Sequence, residues 1–194
     1  LSAGAPVLRR EPEPADPAAP SPGARYFPAT RHNLIDPFRA FWLRYGGVDT
    51  FGYPQTEPFI EDAHLVQYTD RALLELVDGR VVLAPLGQWL TAGRRFSGVA
   101  PFASTATRLY VARTGHRLSG GFLSYWRKHN GPVILGAPIS EVVVEGNGDG
   151  SGRRYPLQWF ENGRLEYHPE AVHTRYAFEL GLLGLHALRA GVGP

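Results

Sequence analysis

Apolar side chains recur with a helical period at two places in this chain. Phe38, Phe41, Trp42 and Tyr45 stand at i, i+3, i+4 and i+7, and Phe122, Tyr125, Trp126 and His129 stand at the same offsets. That spacing gathers each set on one helical face. Asp36-Pro37 and Ser119 occupy the places of helix N-caps, while Gly46-Gly47 and Asn130-Gly131 suit the left-handed backbone at a helix end. The pattern predicts two helices of roughly ten residues each. Helices that short are marginal alone in water, so their aromatic faces must dock on another element.

Downstream of each helix the pattern changes to short apolar and β-branched runs. After the first, these are residues 58–61, 65–68, 73–76 and 81–83, with Asp78-Gly79 between the last two. After the second, they are residues 142–144, 155–160 and 164–168, parted by the Gly-rich stretch 146–152 and by Asn162-Gly163. Runs separated by D-G or N-G predict antiparallel hairpins. Residues 86–90 read as a short helical turn. Phe178, Leu182, Leu185 and Leu188 predict a terminal helix, weakened by Gly181 and Gly184.

The two patterns are copies of one another. Laid without a gap, Thr30–Glu57 and Thr114–Glu141 share nine of 28 positions: Thr, His, Leu, Phe, Trp, Gly, Gly, Pro and Glu. The register continues through Gln67-Tyr68 on Gln158-Trp159 and Leu74-Glu75 on Leu165-Glu166, once seven extra residues of the second copy are placed at its Gly-rich tip. Leu83, Leu86 and Gly87 then answer Leu180, Leu183 and Gly184. An internal repeat outranks other signals in setting a fold. The expectation is an α+β fold of two tandem repeats, each a short amphipathic helix packed on a small antiparallel β-meander. Phe38, Trp42, Phe122 and Trp126 are its expected core. Residues 1–24 form a Pro/Ala-rich tail, 25–106 the first unit with its linker, and 107–194 the second unit with a C-terminal helical segment.

Composition narrows the class. The tail holds six of the 17 prolines and reads as an extended, polyproline-like segment. Two adjacent large apolar side chains, Val7 and Leu8, stand beside Arg9-Arg10, and a short stretch of that kind suits addition to an exposed sheet edge of a second copy. The absence of cysteine excludes disulfides, thiol catalysis and Cys-ligated metals. Methionine is absent as well, even at Leu1, so either a processed product or an excised piece of a longer chain is expected. Removal of an export signal would leave such an end, and an extracellular or cell-surface location is the expectation. Nineteen arginines against one lysine fit a high-GC or thermophilic source. No apolar run is long enough to span a bilayer. The formal charge of +2 is spread without a basic run, which argues against nucleic acid.

Candidate chemistry is sparse. His32 and His116 precede the helices at matching places without metal-ligand spacing, and a structural hydrogen bond is the expectation. The stretch from Gly146 to Gly152 faintly resembles a calcium loop but lacks the closing Glu, so it reads as a hairpin tip. Glu57, Glu75, Glu141 and Glu166 come as repeated positions, which suits architecture better than the asymmetric acid and base of a glycosidase. No nucleophile-elbow, zinc-protease or P-loop motif is present. For a glycan groove the candidates are Tyr53, Gln67, Tyr68, Gln158 and Trp159, aromatics interleaved with amides.

The residues also resemble a known family. F-x-x-[FY]-W-x-x-x-x-G-x-x-x-x-G-x-P-x-[ST]-E followed by the hairpin of Gln158 to Tyr167 is similar to the LGFP-type repeat of bacterial cell-wall proteins. Thr114 to Trp126 and Arg164 to Glu170 resemble a variant in exported proteins of thermophilic bacteria, and the likeness spans about residues 25–187. The tetrad itself departs from the family, standing as F-G-Y-P and L-G-A-P. The resemblance implies a non-catalytic module that attaches an exported protein to the envelope. The combined expectation is a secreted, non-catalytic structural or adhesive surface protein without cofactor or metal, self-assembling through Val7, Leu8, Arg9 and Arg10. The alternative is a cell-wall glycan-binding module, and an envelope hydrolase is the weakest reading.

Overall fold

The computed structural model of the chain describes residues 22–148 and 150–191. Val7, Leu8, Arg9 and Arg10 lie outside the described residues, as does the rest of the tail up to residue 21. The fold is α+β, with six α-helices and four antiparallel sheets among the described residues.

A hairpin opens the fold: β1 (Arg25–Phe27) pairs with β2 (His32–Leu34). Helices α1 (Phe38–Arg44) and α2 (Gly47–Phe51) follow, then a meander of β3 (Phe59–Glu61), β4 (His64–Tyr68), β5 (Leu73–Val77) and β6 (Arg80–Leu83), and helix α3 (Leu86–Leu90). The order then recurs. β7 (Arg108–Val111) pairs with β8 (His116–Ser119), and α4 (Gly120–Lys128) and α5 (Gly131–Ile134) come next. The second meander is β9 (Val143–Gly146), β10 (Arg154–Trp159), β11 (Arg164–Tyr167) and β12 (Phe178–Leu180), closed by α6 (Leu183–Ala190).

The helices are shorter than their periodicity suggests, at seven and nine residues. Each stops where expected, at Gly46 and Asn130, whose φ angles of +109° and +51° leave the helical region. A second helical turn starts directly after each stop, which no periodicity announces in so short a segment. The starts differ as well. Phe38 is the first helical residue, and Asp36 reaches the backbone N–H of Ala40 at 3.1 Å from outside the helix. Ser119 does hold the N-cap place of α4, but its side chain makes no capping bond. The two opening hairpins were not evident from pattern, because three- and four-residue strands carry too little alternation. Their turns use Arg31 at φ +64° and Gly115 at φ +74°. In the terminal segment Phe178 belongs to β12, and α6 buries Leu183, Gly184 and Ala187.

Two layers of core hold the elements together. The first joins Phe27, Leu34, Phe38, Trp42 and Phe51 with Leu118, Phe122, Leu123, Phe160 and Leu165, so residues of both halves share it. Phe41, Tyr45, Tyr125 and Trp126 pack at its margin. The second joins Val66, Tyr68 and Leu73 of the first meander with Leu157 and Trp159 of the other, and with Leu86 of α3 and Leu183 and Ala187 of α6. Each terminal helix leans on the other half's sheet. The Gln88 amide donates to Glu161 O at 3.1 Å, and the Leu185 amide to Asp70 O at 3.1 Å. These contacts need glycine, since a Cβ on Gly87 would lie 1.8 Å from Phe160 O, and one on Gly184 2.0 Å from Thr69 O.

Candidate functional site

The residues that match between the two halves make the same bonds. Trp42 Nε1 donates to Gly52 O at 3.0 Å and Trp126 Nε1 to Gly136 O at 2.9 Å. Both glycines have positive φ, and a side chain on either would run into the carboxylate of Asp70 or Glu161. Those carboxylates in turn accept the amides of Tyr53 (2.8 Å) and Ala137 (2.9 Å). The Thr-Glu and Ser-Glu pairs that follow are also spent on backbone. Thr56 Oγ1 accepts the Tyr68 amide at 3.2 Å, and Ser140 Oγ accepts the Trp159 amide at 2.9 Å. Glu57 accepts the Asn33 amide at 2.8 Å, and Glu141 the Arg117 amide at 2.9 Å.

His32 and His116 are buried beside these glutamates, with Nδ1 3.4 Å from Glu57 and 3.5 Å from Glu141. Burial pushes the His32 pKa below its ordinary value, against the pull of Glu57. Each Nδ1 thus faces a carboxylate that also holds the opening hairpin.

Four of the five groove candidates belong to the interior. Gln67 and Gln158 are buried, and each Nε2 bridges two carbonyls: Asn33 O (2.6 Å) and Thr56 O (2.8 Å) in one case, Arg117 O (2.8 Å) and Ser140 O (2.7 Å) in the other. They tie the opening hairpin to the meander, because a buried carbonyl must find a donor. Tyr68 is buried with its hydroxyl 3.0 Å from Glu61 Oε2. Trp159 is 5 % exposed, its Nε1 donates to Glu145 at 3.2 Å, and the guanidinium groups of Arg94 and Arg164 stand 5.6 and 5.0 Å from its ring centre. Only Tyr53, 38 % exposed, faces solvent. An alternation of amide and aromatic reads alike for a wet groove and for a cross-brace; here it is the brace.

The expected core residues Phe38, Trp42 and Phe122 are buried, but Trp126 is only half-buried. The cause lies in two substitutions between matching positions. Around Trp42, Phe27 packs edge-on at 5.6 Å and Tyr53 lies 5.7 Å from Phe27, with Arg25 over both Phe27 and Trp42. At the places of Phe27 and Tyr53 the second half carries Val111 and Ala137. The missing rings leave a hollow of about 230 Å³ lined by Val111, Arg113, Trp126, Pro132, Gly136, Ala137 and Glu161.

The polar side of the hollow is an ion pair. Arg113 donates to both oxygens of Glu161, one bond at 2.8 Å, and its side chain is 66 % exposed. These bonds hold the Glu161 carboxyl below its ordinary pKa. Among the described residues the matching Asp70 has no arginine bonded to it; it accepts from Gln55 Nε2 at 2.6 Å, and burial raises its pKa instead. Sequence reading missed Val111, Arg113, Ala137 and Glu161. The available signal was the pairwise loss of an aromatic between the two copies, which shows only when they are compared for volume and not for identity.

A second charged cluster lies beneath the β9–β10 connection. Arg164 and Glu166 are buried and joined at 2.9 and 2.6 Å, Arg164 also reaches Asn147 O at 2.8 Å, and His168 lies 3.4 Å from Glu166. His186 packs on Gly148 of the Gly-rich tip; burial lowers its pKa, and Arg164 adds to the shift. Asp149 of that tip is outside the described residues. Among the described residues no group of three or more His, Asp or Glu side chains is placed to hold a metal. No helix among them is long and apolar enough to cross a membrane. In comparisons with known proteins, no protein-family model matches the chain and no curated protein matches it.

Proposed function

We propose that the chain is a non-catalytic module of a cell-surface protein, built from two copies of one unit that lean on each other through α3 and α6, and that it attaches its protein to envelope glycan. One observation carries the reading: the matched carboxylates Glu57, Glu141, Asp70 and Glu161 are used on the chain's own backbone, each accepting a main-chain amide. Glu166 is paired with the buried Arg164, and Glu75, whose pKa burial raises, has His64 and Glu61 as charged neighbours. Glu61 and Glu145 take the polar tips of Tyr68 and Trp159. An acid–base pair for glycoside hydrolysis needs one proton-donating carboxyl and one free carboxylate across a cleft, and carboxylates held in this way serve architecture. The glycine and the Thr-Glu or Ser-Glu of the LGFP-like motif are also used within the chain: Gly52 O and Gly136 O accept the two indoles, and Thr56, Ser140, Glu57 and Glu141 accept backbone amides.

The test is sedimentation with purified bacterial envelope. The protein should pellet with it and release no soluble saccharide over hours; release of reducing ends would return the hydrolase. Self-assembly through Val7, Leu8, Arg9 and Arg10 is a second reading, favoured by apolar side chains exposed at two sheet edges: Ile60 (67 %) on β3 and Val144 (53 %) on β9. An unpaired edge is a template for an added strand. Deleting residues 1–12 should leave a monomer in size-exclusion chromatography where the full chain is larger; equal elution volumes would refute it.

A further inference from the structure

We infer that the hollow beside Trp126 is a binding site for a single saccharide ring, and that the second unit alone carries one. The inference rests on the envelope-attachment reading and adds its site. The lining differs between the halves, since Phe27 packs edge-on against Trp42 with Tyr53 against Phe27, where the second half has Val111 and Ala137. At about 230 Å³ the hollow falls below the 300–1,000 Å³ or so usual for small-molecule pockets. One ring fits; a second must lie outside.

The lining sets the chemical class. Trp126, Val111, Pro132 and Ala137 supply apolar lining, and the paired Arg113 and Glu161 supply charged lining. A pyranose has this same division, with C–H groups on its face and hydroxyls at its rim. Ionised carboxylates accept at about four lone-pair positions. Glu161 uses three of its own, on Ala137 N and two nitrogens of Arg113, so one remains for a sugar hydroxyl. The guanidinium, mostly in solvent, still has donors to offer a ring or glycosidic oxygen. A purely apolar guest would leave that charged pair unserved, and an anion would meet Glu161. A neutral sugar suits both sides.

The ring is either a free monosaccharide or the end of a chain, and the probes separate the two. Full-length protein is mixed with N-acetylglucosamine, glucose and chitotriose, and binding is read by saturation transfer to the sugar C–H protons. Wild type should give transfer to at least one probe. Ala137→Tyr, which restores the ring found in the first unit, should weaken binding tenfold or more. Arg113→Ala, an exposed change that leaves folding intact, should weaken it severalfold. A preference for chitotriose means a chain end, and equal binding of the monosaccharide means a free sugar. Unchanged binding in both variants, or no sugar binding by a protein that still sediments with envelope, overturns the site and spares the attachment reading. Loss of sedimentation as well sinks both. A synthetic peptide of residues 1–24 that binds in place of sugar, and is lost in Ala137→Tyr, overturns the inference in favour of an occupant from this chain.

Discussion

Gly87→Ala and Gly184→Ala are expected to destabilise a protein in which the same change elsewhere in a helix would stabilise it. Alanine exceeds glycine by about 1 kcal/mol in a helix interior. Here the added Cβ falls 1.8 Å from Phe160 O and 2.9 Å from Gly163 O at the first position. At the second it falls 2.0 Å from Thr69 O and 2.9 Å from Ala72 N. All are backbone atoms, so a helix must move by more than an ångström. Overpacking of this kind costs about 1–3 kcal/mol, and the shift breaks the amide bonds from Gln88 or Leu185, each worth about 1 kcal/mol. Subtracting the propensity gain leaves a net loss of about 1–3 kcal/mol. For a chain of this length each kcal/mol lowers Tm by about 2–4 °C, so thermal unfolding followed by circular dichroism should show a fall of several degrees for either variant. Because α3 and α6 also touch each other, the double variant should depart from additivity. A Tm at or above wild type in both single variants would refute the reciprocal docking of α3 and α6.

Further outcomes follow from the same contacts. Trp42→Ala should cost about 3–5 kcal/mol, as for a fully buried aromatic, and Trp126→Ala distinctly less in urea titration, because Trp126 is half-buried. Arg164→Leu places the first unit's residue, Leu73, at the matching position, yet it strands the buried Glu166; stability should drop by about 3–5 kcal/mol. The folded-state pKa of His32 lies below its ordinary 6.5, chiefly through burial. The unfolded chain therefore takes up the proton first, and stability is full above pH 6.5 and lost as pH falls below it. His32→Gln should flatten that part of a Tm-against-pH curve; an unchanged slope would show that His32 does not contribute to it.

Much of the architecture is legible in the sequence because one pattern of residues occurs at both 30–57 and 114–141. The aromatic period at Phe38–Tyr45 and Phe122–His129, the D-G turn at Asp78-Gly79 and the N-G turn at Asn162-Gly163 all mark elements found in the fold. The strands at 25–27 and 178–180 escape pattern reading, since three residues hold only one full alternation. At the end of the chain the helix is present but its buried line differs: Leu185 and Leu188 lie in α6 and Leu188 packs on the second core, while Leu183, Gly184 and Ala187 are the buried residues. The candidate site is less legible. Gln67 and Gln158 advertise polarity and turn out to be internal braces, whereas the hollow at Trp126 is announced only by what Val111 and Ala137 lack.

Phe27 and Tyr53 near Trp42 are answered by Val111 and Ala137 near Trp126, and the four indole N–H signals of Trp42, Trp89, Trp126 and Trp159 report on that difference directly. In a nitrogen–proton correlation spectrum of the full chain, with the indole signals assigned by single Trp→Phe variants, saturating chitotriose should move the Trp126 signal and leave Trp42 in place. A spectrum in which the Trp42 signal moves as far, or in which none of the four responds, would contradict the account.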